Sequence, residues 1–98
     1  MSLNDLILFS IYSTAGEQEK CTFERLVKEC FTDFPEAFSL PKYPHWPDSR
    51  KLDRPLRTLR KRKLILGDPK TEFSLTKLGK KIAIDIARTF KQKKLFSQ

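Results

Sequence analysis

Between Leu3 and Tyr12 the apolar residues Leu3, Leu6, Ile7, Leu8, Phe9, Ile11 and Tyr12 surround nearly the whole circumference of a helix. A helix with so little polar face is covered on several sides, so this one is expected at the centre of the fold. Ser2, with Asp5 three residues on, forms a capping-box variant that opens it. Ala15-Gly16 ends it before a polar loop from Glu17 to Lys20. Phe23, Leu26, Val27 and Cys30 make a narrower stripe on a second helix, capped by Thr22, with Glu24, Lys28 and Glu29 turned to solvent. Cys21 and its neighbours could also pair briefly as an edge strand.

The periodicity stops between Thr32 and Pro47, where Pro35, Pro41, Pro44 and Pro47 break any long element. Pro35 to Leu40 suits a short helical turn with its proline at an allowed first-turn position. Phe34, Phe38, Tyr43, His45 and Trp46 make the stretch too apolar for a free linker. It is expected to be a packed connector whose aromatics close over the core edge, with Trp46 buried as its anchor, since exposed aromatic clusters are unusual on small domains. The alternative is an exposed aromatic platform for bases or a peptide.

Helical spacing returns in D-S-R-K-L-D-R-P-L-R-T-L-R-K-R-K, Asp48 to Lys63. Leu52, Leu56 and Leu59 share one face, while Arg50, Arg54, Arg57 and Lys61 share the opposite one at i, i+4, i+7 and i+11. Asp48 or Ser49 caps this helix. Pro55 would cost a helix begun at Arg50 its bond to Lys51. A regular helix beginning near Asp53 would instead hold Pro55 in its first turn. The shared leucine face favours one continuous but distorted helix. Leu64-Ile65-Leu66 then reads as a strand, Gly67 to Lys70 as a turn and Glu72 to Leu75 as the returning strand. Thr76 caps a last long helix that buries Leu78, Ile82, Ala83, Ile86, Ala87 and Phe90, leaving Ile84 and Leu95 on another side.

Charge sharpens this picture. Residues 1–48 carry 4 Lys/Arg against 8 Asp/Glu, whereas residues 49–98 carry 16 against 4, so the net +8 conceals an acidic half and a strongly basic one. Like charges at i, i+4 weaken a helix by about 0.2–0.5 kcal/mol per pair. A stripe of them therefore makes most sense facing a polyanion, nucleic acid being the commonest, with an anionic membrane or an acidic protein as alternatives. The bland reading is a solvated basic face.

Other chemistry finds little support. His45 is the single histidine and has no nucleophile or carboxylate at a recognisable spacing, and neither Cys21 nor Cys30 has a histidine partner. Three glycines make no phosphate loop, and the cysteines make neither a zinc set nor a disulfide framework. The expectation is a non-enzyme without cofactor or metal, with Cys30 a buried free thiol suited to a reducing cytoplasm. The longest apolar run, Leu6 to Phe9, is far too short to span a membrane, and no cleavable signal is visible. A soluble intracellular protein of one domain, 1–98, is expected.

Helix, helix, basic helix, two-stranded hairpin, helix: in this order the chain resembles the winged helix-turn-helix superfamily. F-S-L-T-K-L-G-K-K-I-A, Phe73 to Ala83, is similar to the end of the wing and the start of the following helix in many bacterial and archaeal regulators. There the threonine caps the helix and the glycine lets it pack closely. L-R-K-R-K-L-I, Leu59 to Ile65, looks like the end of a recognition helix running into the first wing strand.

The resemblance implies a mostly α fold with a small β-hairpin: a three-helix core, a wing and a C-terminal helix. The acidic half would be 1–48, with the connector at 32–47, the recognition helix at 49–63, the wing at 64–75 and the last helix at 76–95. It further implies double-stranded DNA binding, as a transcriptional regulator or the DNA-reading module of a larger protein, in a prokaryotic-type cytoplasm at the nucleoid. Ser49, Arg50, Lys51, Arg54, Arg57 and Thr58 would face bases and phosphates, with Lys61 at the groove edge and Lys70 as the wing contact. A homodimer, or docking to a further domain, would use Ile84 and Leu95. The competing function is a protein-interaction scaffold without DNA contact, because a fold does not settle a function. Single-stranded RNA binding is a third reading and needs the aromatics at 38, 43 and 46 exposed.

Overall fold

A computed structural model describes residues 1–16 and 20–96, with side chains up to Lys91. Helix α1 (Leu3–Gly16) opens on reciprocal bonds: Asp5 N–H donates to Ser2 Oγ at 3.3 Å, and Ser2 N–H donates to Asp5 Oδ2 at 3.4 Å. As its all-round apolar surface requires, α1 lies at the centre, against α2 (Phe23–Asp33), α4 (Asp53–Lys61) and α5 (Lys77–Phe96). Ile7, Leu8 and Ile11 are buried there. So are Ser10 and Thr14, whose hydroxyls donate to Leu6 O and Ser10 O at 2.9 Å, which satisfies both within the helix.

Thr22 caps α2 by accepting from Arg25 N–H at 3.2 Å. Glu29 departs from the solvent-facing position expected of it. Its carboxylate pairs with Arg25 at 3.3 Å and accepts from Ser13 Oγ at 3.3 Å, which ties α2 to α1.

The edge strand at Cys21 forms. Strands β1 (Cys21–Thr22), β5 (Glu72–Leu75) and β4 (Ile65–Leu66) make an antiparallel sheet in the order β1-β5-β4, with Cys21 opposite Phe73 and Ile65 opposite Leu75. Cys21, Ile65 and Phe73 point from it into the core.

The connector divides into two parts. Phe34 meets Phe9 and Phe90 edge-on and tilted, at centroid separations of 6.1 and 5.6 Å, and Phe38 at the end of α3 (Pro35–Phe38) is buried, as a packed connector demands. Beyond Phe38 the expectation of packing fails. Strands β2 (Ser39–Leu40) and β3 (Tyr43–Pro47) form a separate hairpin, on which Trp46 is 65% and Tyr43 63% exposed. The register explains the exposure of Trp46. Leu40 pairs with Tyr43 and Ser39 with Pro47, so Pro44, His45 and Trp46 face no partner and bulge outward. The chain then returns to its starting point, where Asp48 N–H donates to Phe38 O at 2.7 Å.

Ser49–Leu52 form a 3-10 turn that runs directly into α4, so the helix expected over 49–63 is regular only from Asp53. Pro55 is the reason. As third residue of α4 it occupies a position whose N–H has no acceptor within the helix, and no backbone bond is lost. At the other end Lys63 takes a left-handed conformation, φ 58°. Leu64 N–H then reaches Leu59 O and Lys63 N–H reaches Arg60 O, both at 3.0 Å, the paired bonds of a Schellman stop.

Thr76 caps α5, accepting from Gly79 N–H at 3.0 Å and donating its own hydroxyl to Lys63 O at 2.7 Å. Leu78, expected in the core, is 53% exposed. Ala83 and Ile86 are buried, with Ile82 and Phe90 partly buried against the core, as expected. Gly79 continues the buried line into the first turn, where a Cβ would overlap the Leu64 carbonyl and only glycine lets the turn sit. Leu78 is rotated about 100° from that line. Ile84 is half-buried, and the Leu95 side chain lies outside the described residues. The result is a mostly helical globule with two small antiparallel sheets and a Cα radius of gyration of 13.1 Å. Among the described residues no helix is long and apolar enough to cross a membrane.

Candidate functional site

The 3-10 turn and α4 bury Leu52, Leu56 and Leu59, and this fixes which side chains point away from the core. Arg54, Arg57, Arg60 and Lys61 are exposed on that outer side, followed by Arg62 and Lys63 where the helix stops. Among the described residues Arg54, Arg57 and Lys61 have no ion pair, so their charge is available to a ligand. Thr58 is half-buried at the edge of this face, and Ser49 is exposed at its start.

Two of the expected site residues are engaged within the chain. The Arg50 guanidinium lies 3.1 Å from Asp48 Oδ1, and the same oxygen accepts the Arg50 N–H at 3.1 Å. These bonds hold the Asp48 carboxyl below the usual carboxylate range. Lys51 is half-buried and donates from Nζ to Ala37 O at 3.2 Å, which fastens the 3-10 turn to α3. Helical spacing placed Arg50 and the winged-helix resemblance implied Lys51, and neither can see Asp48 fold back or the end of α3 arrive.

Lys70 stands exposed at the turn between β4 and β5. Its N–H and that of Thr71 both donate to Asp68 Oδ1, at 2.8 and 3.2 Å, so the Asp68 carboxylate is spent on shaping the turn. Gly67, at φ 100°, makes the turn's entry possible. Arg60, absent from the expected set, extends from α4 to donate to Gly67 O at 3.4 Å and holds the hairpin beside the helix. Between them lies a notch of about 320 Å³ lined by Asp53, Leu56, Arg57, Arg60 and Pro69. The arrangement is a convex, cation-studded ridge with a turn at its flank, suited to anions spaced along a surface.

A larger cleft, about 740 Å³, opens elsewhere, between the end of α1, β1, β5 and Lys80. Its wall includes Cys21, whose thiol burial pushes up to about 11. Cys30 is pushed up to about 12 for the same reason. Both are therefore neutral thiols near neutral pH and poor nucleophiles. No protein-family model, no curated protein and no solved structure matches this chain.

Proposed function

We propose that this chain is a winged helix-turn-helix domain that binds double-stranded DNA through α4, as a transcriptional regulator or the DNA-reading module of a larger protein. The observation that carries the proposal is the contrast across α4. One face is closed by leucines, and the other presents Arg54, Arg57 and Lys61 without an ion pair among the described residues. An outward cationic row costs helix stability and makes no structural bond in return. The hairpin that follows the basic helix, joined through β5 to a strand before α2, supports the fold reading.

In this reading Arg54 and Arg57 reach base edges, where a guanidinium pairs bidentately with guanine, and Lys61, Arg62, Lys63 and Lys70 neutralise phosphates. Arg50 and Lys51 position the helix and contribute little to the ligand. Titration of a labelled random duplex tests this. Arg54→Ala and Arg57→Ala should each weaken binding by about 1–3 kcal/mol and leave the melting temperature nearly unchanged, since both side chains point outward. Variants that bind as the wild type does would remove α4 from the site.

A further inference from the structure

The hairpin Ser39–Pro47 is joined to the basic helix as one unit. Asp48 N–H donates to Phe38 O at the hairpin's base, the Asp48 carboxylate binds both the N–H and the guanidinium of Arg50, and Lys51 Nζ grips Ala37 O. Trp46 thus stands two residues before the buried carboxylate that starts the 3-10 turn, so the hairpin is anchored at the N-terminal end of the basic helix. Pro41, Pro44 and Pro47 fix φ at three of its positions, so the exposed rings of Tyr43 and Trp46 are offered on a stiff support. The segment carries Lys42 and His45 and no carboxylate. Asp48, the next acid, is already bound to Arg50.

An exposed indole and phenol on a hairpin anchored at the start of a cationic helix fit a polyanion that also has flat apolar faces. A closed duplex keeps its base faces stacked on each other and has none to offer here. Unpaired bases do. Resting on the reading of α4 as a DNA-contacting helix, we propose that the hairpin is a second nucleic-acid element, on which Trp46 and Tyr43 stack unpaired bases flanking the duplex held by α4. The preferred ligand is then a junction between double and single strand.

Trp46 is the chain's one tryptophan, so its emission reports on this contact directly. The full chain is titrated with a blunt labelled duplex, and with the same duplex carrying a single-stranded extension of either polarity. Label anisotropy gives affinity and Trp46 emission gives stacking. The extended duplex should bind roughly 5- to 150-fold tighter for each base stacked, and it alone should quench Trp46. In Trp46→Ala and Tyr43→Ala the ratio of extended to blunt affinity should fall towards one, whereas Trp46→Phe, which keeps a ring, should retain most of the gain. A gain lost equally in Trp46→Phe would assign the contact to the indole N–H on phosphate and overturn stacking. Equal affinity for both duplexes with unchanged emission sinks the inference and leaves the α4 reading standing. Failure to bind the blunt duplex at all removes the α4 reading itself.

Discussion

The Arg50 guanidinium and the buried Asp48 carboxylate lie 3.1 Å apart, and that contact decides how the basic stripe divides. Arg50 carries the same charge as Arg54 and Arg57 and shares their helical spacing in the sequence, but it lies in the 3-10 turn and its charge is answered inside the chain. Asp48 also caps the turn, so its carboxylate sets the helix start while its backbone N–H closes the base of the hairpin on Phe38 O.

Asp48→Ala should therefore cost about 0.5–2 kcal/mol, the range for a lost cap, while Asp48→Asn retains part of it. The folded carboxyl titrates below the unfolded value of about 3.9. Its contribution is then fully present above that value and is lost as pH falls through the folded pKa. Urea unfolding at neutral pH and near pH ~3 should show the gap between wild type and Asp48→Asn narrowing in acid. A gap that stays constant would detach Asp48 from this role.

Gly79→Ala tests packing against propensity. Alanine is the better helix former by about 1 kcal/mol, yet its Cβ would overlap the Leu64 carbonyl, which is backbone and has little room to yield. Overpacking of this kind costs about 1–3 kcal/mol, so the net change is destabilising. A higher melting temperature would show that Leu64 gives way.

Lys63→Gly should move stability the other way. A left-handed non-glycine residue costs about 1–2 kcal/mol, and glycine gives back part of that in unfolded-chain entropy, leaving a gain of roughly 0.5–1 kcal/mol. The same substitution deletes a cation from the proposed interface and should weaken duplex binding. Opposite signs in unfolding and binding are the expected result, and a variant that loses stability would contradict the strain.

Trp46→Ala should change stability by about 0.5 kcal/mol or less, as an exposed position does, while Phe38→Ala costs about 3–5 kcal/mol. Denaturant curves of the two variants separate the hairpin from the core. A large cost at Trp46 would mean that the indole packs after all.

Much of this fold was legible because single turns of sequence carry their own chemistry. Ser2 with Asp5, Thr22 and Thr76 announced helix starts, and the leucines at 52, 56 and 59 announced which way the basic helix faces. The connector was half legible. Phe34 and Phe38 packed as their apolarity suggested, whereas Tyr43 and Trp46 lie on a separate exposed hairpin, and the three-residue slip that leaves Trp46 unpaired depends on pairing that no local pattern encodes. The helical wheel placed Ala83 and Ile86 inside, as they are, but also Leu78, which the close approach of Gly79 to Leu64 leaves at the surface. At the candidate site Arg54, Arg57 and Lys61 were found by spacing. The diversion of Arg50 and Lys51, and the reach of Arg60 to Gly67, came from tertiary neighbours.

The most direct measurement of the central claim is a titration of the full chain against random duplex DNA at two salt concentrations. With roughly 5–7 phosphates neutralised, the log–log slope of affinity against salt should be roughly −0.9 per phosphate, so binding falls steeply as salt rises. Lys63→Gly and Lys61→Ala should each shallow that slope by about one phosphate's share. Affinity that ignores salt, or no binding at low salt, would contradict the account.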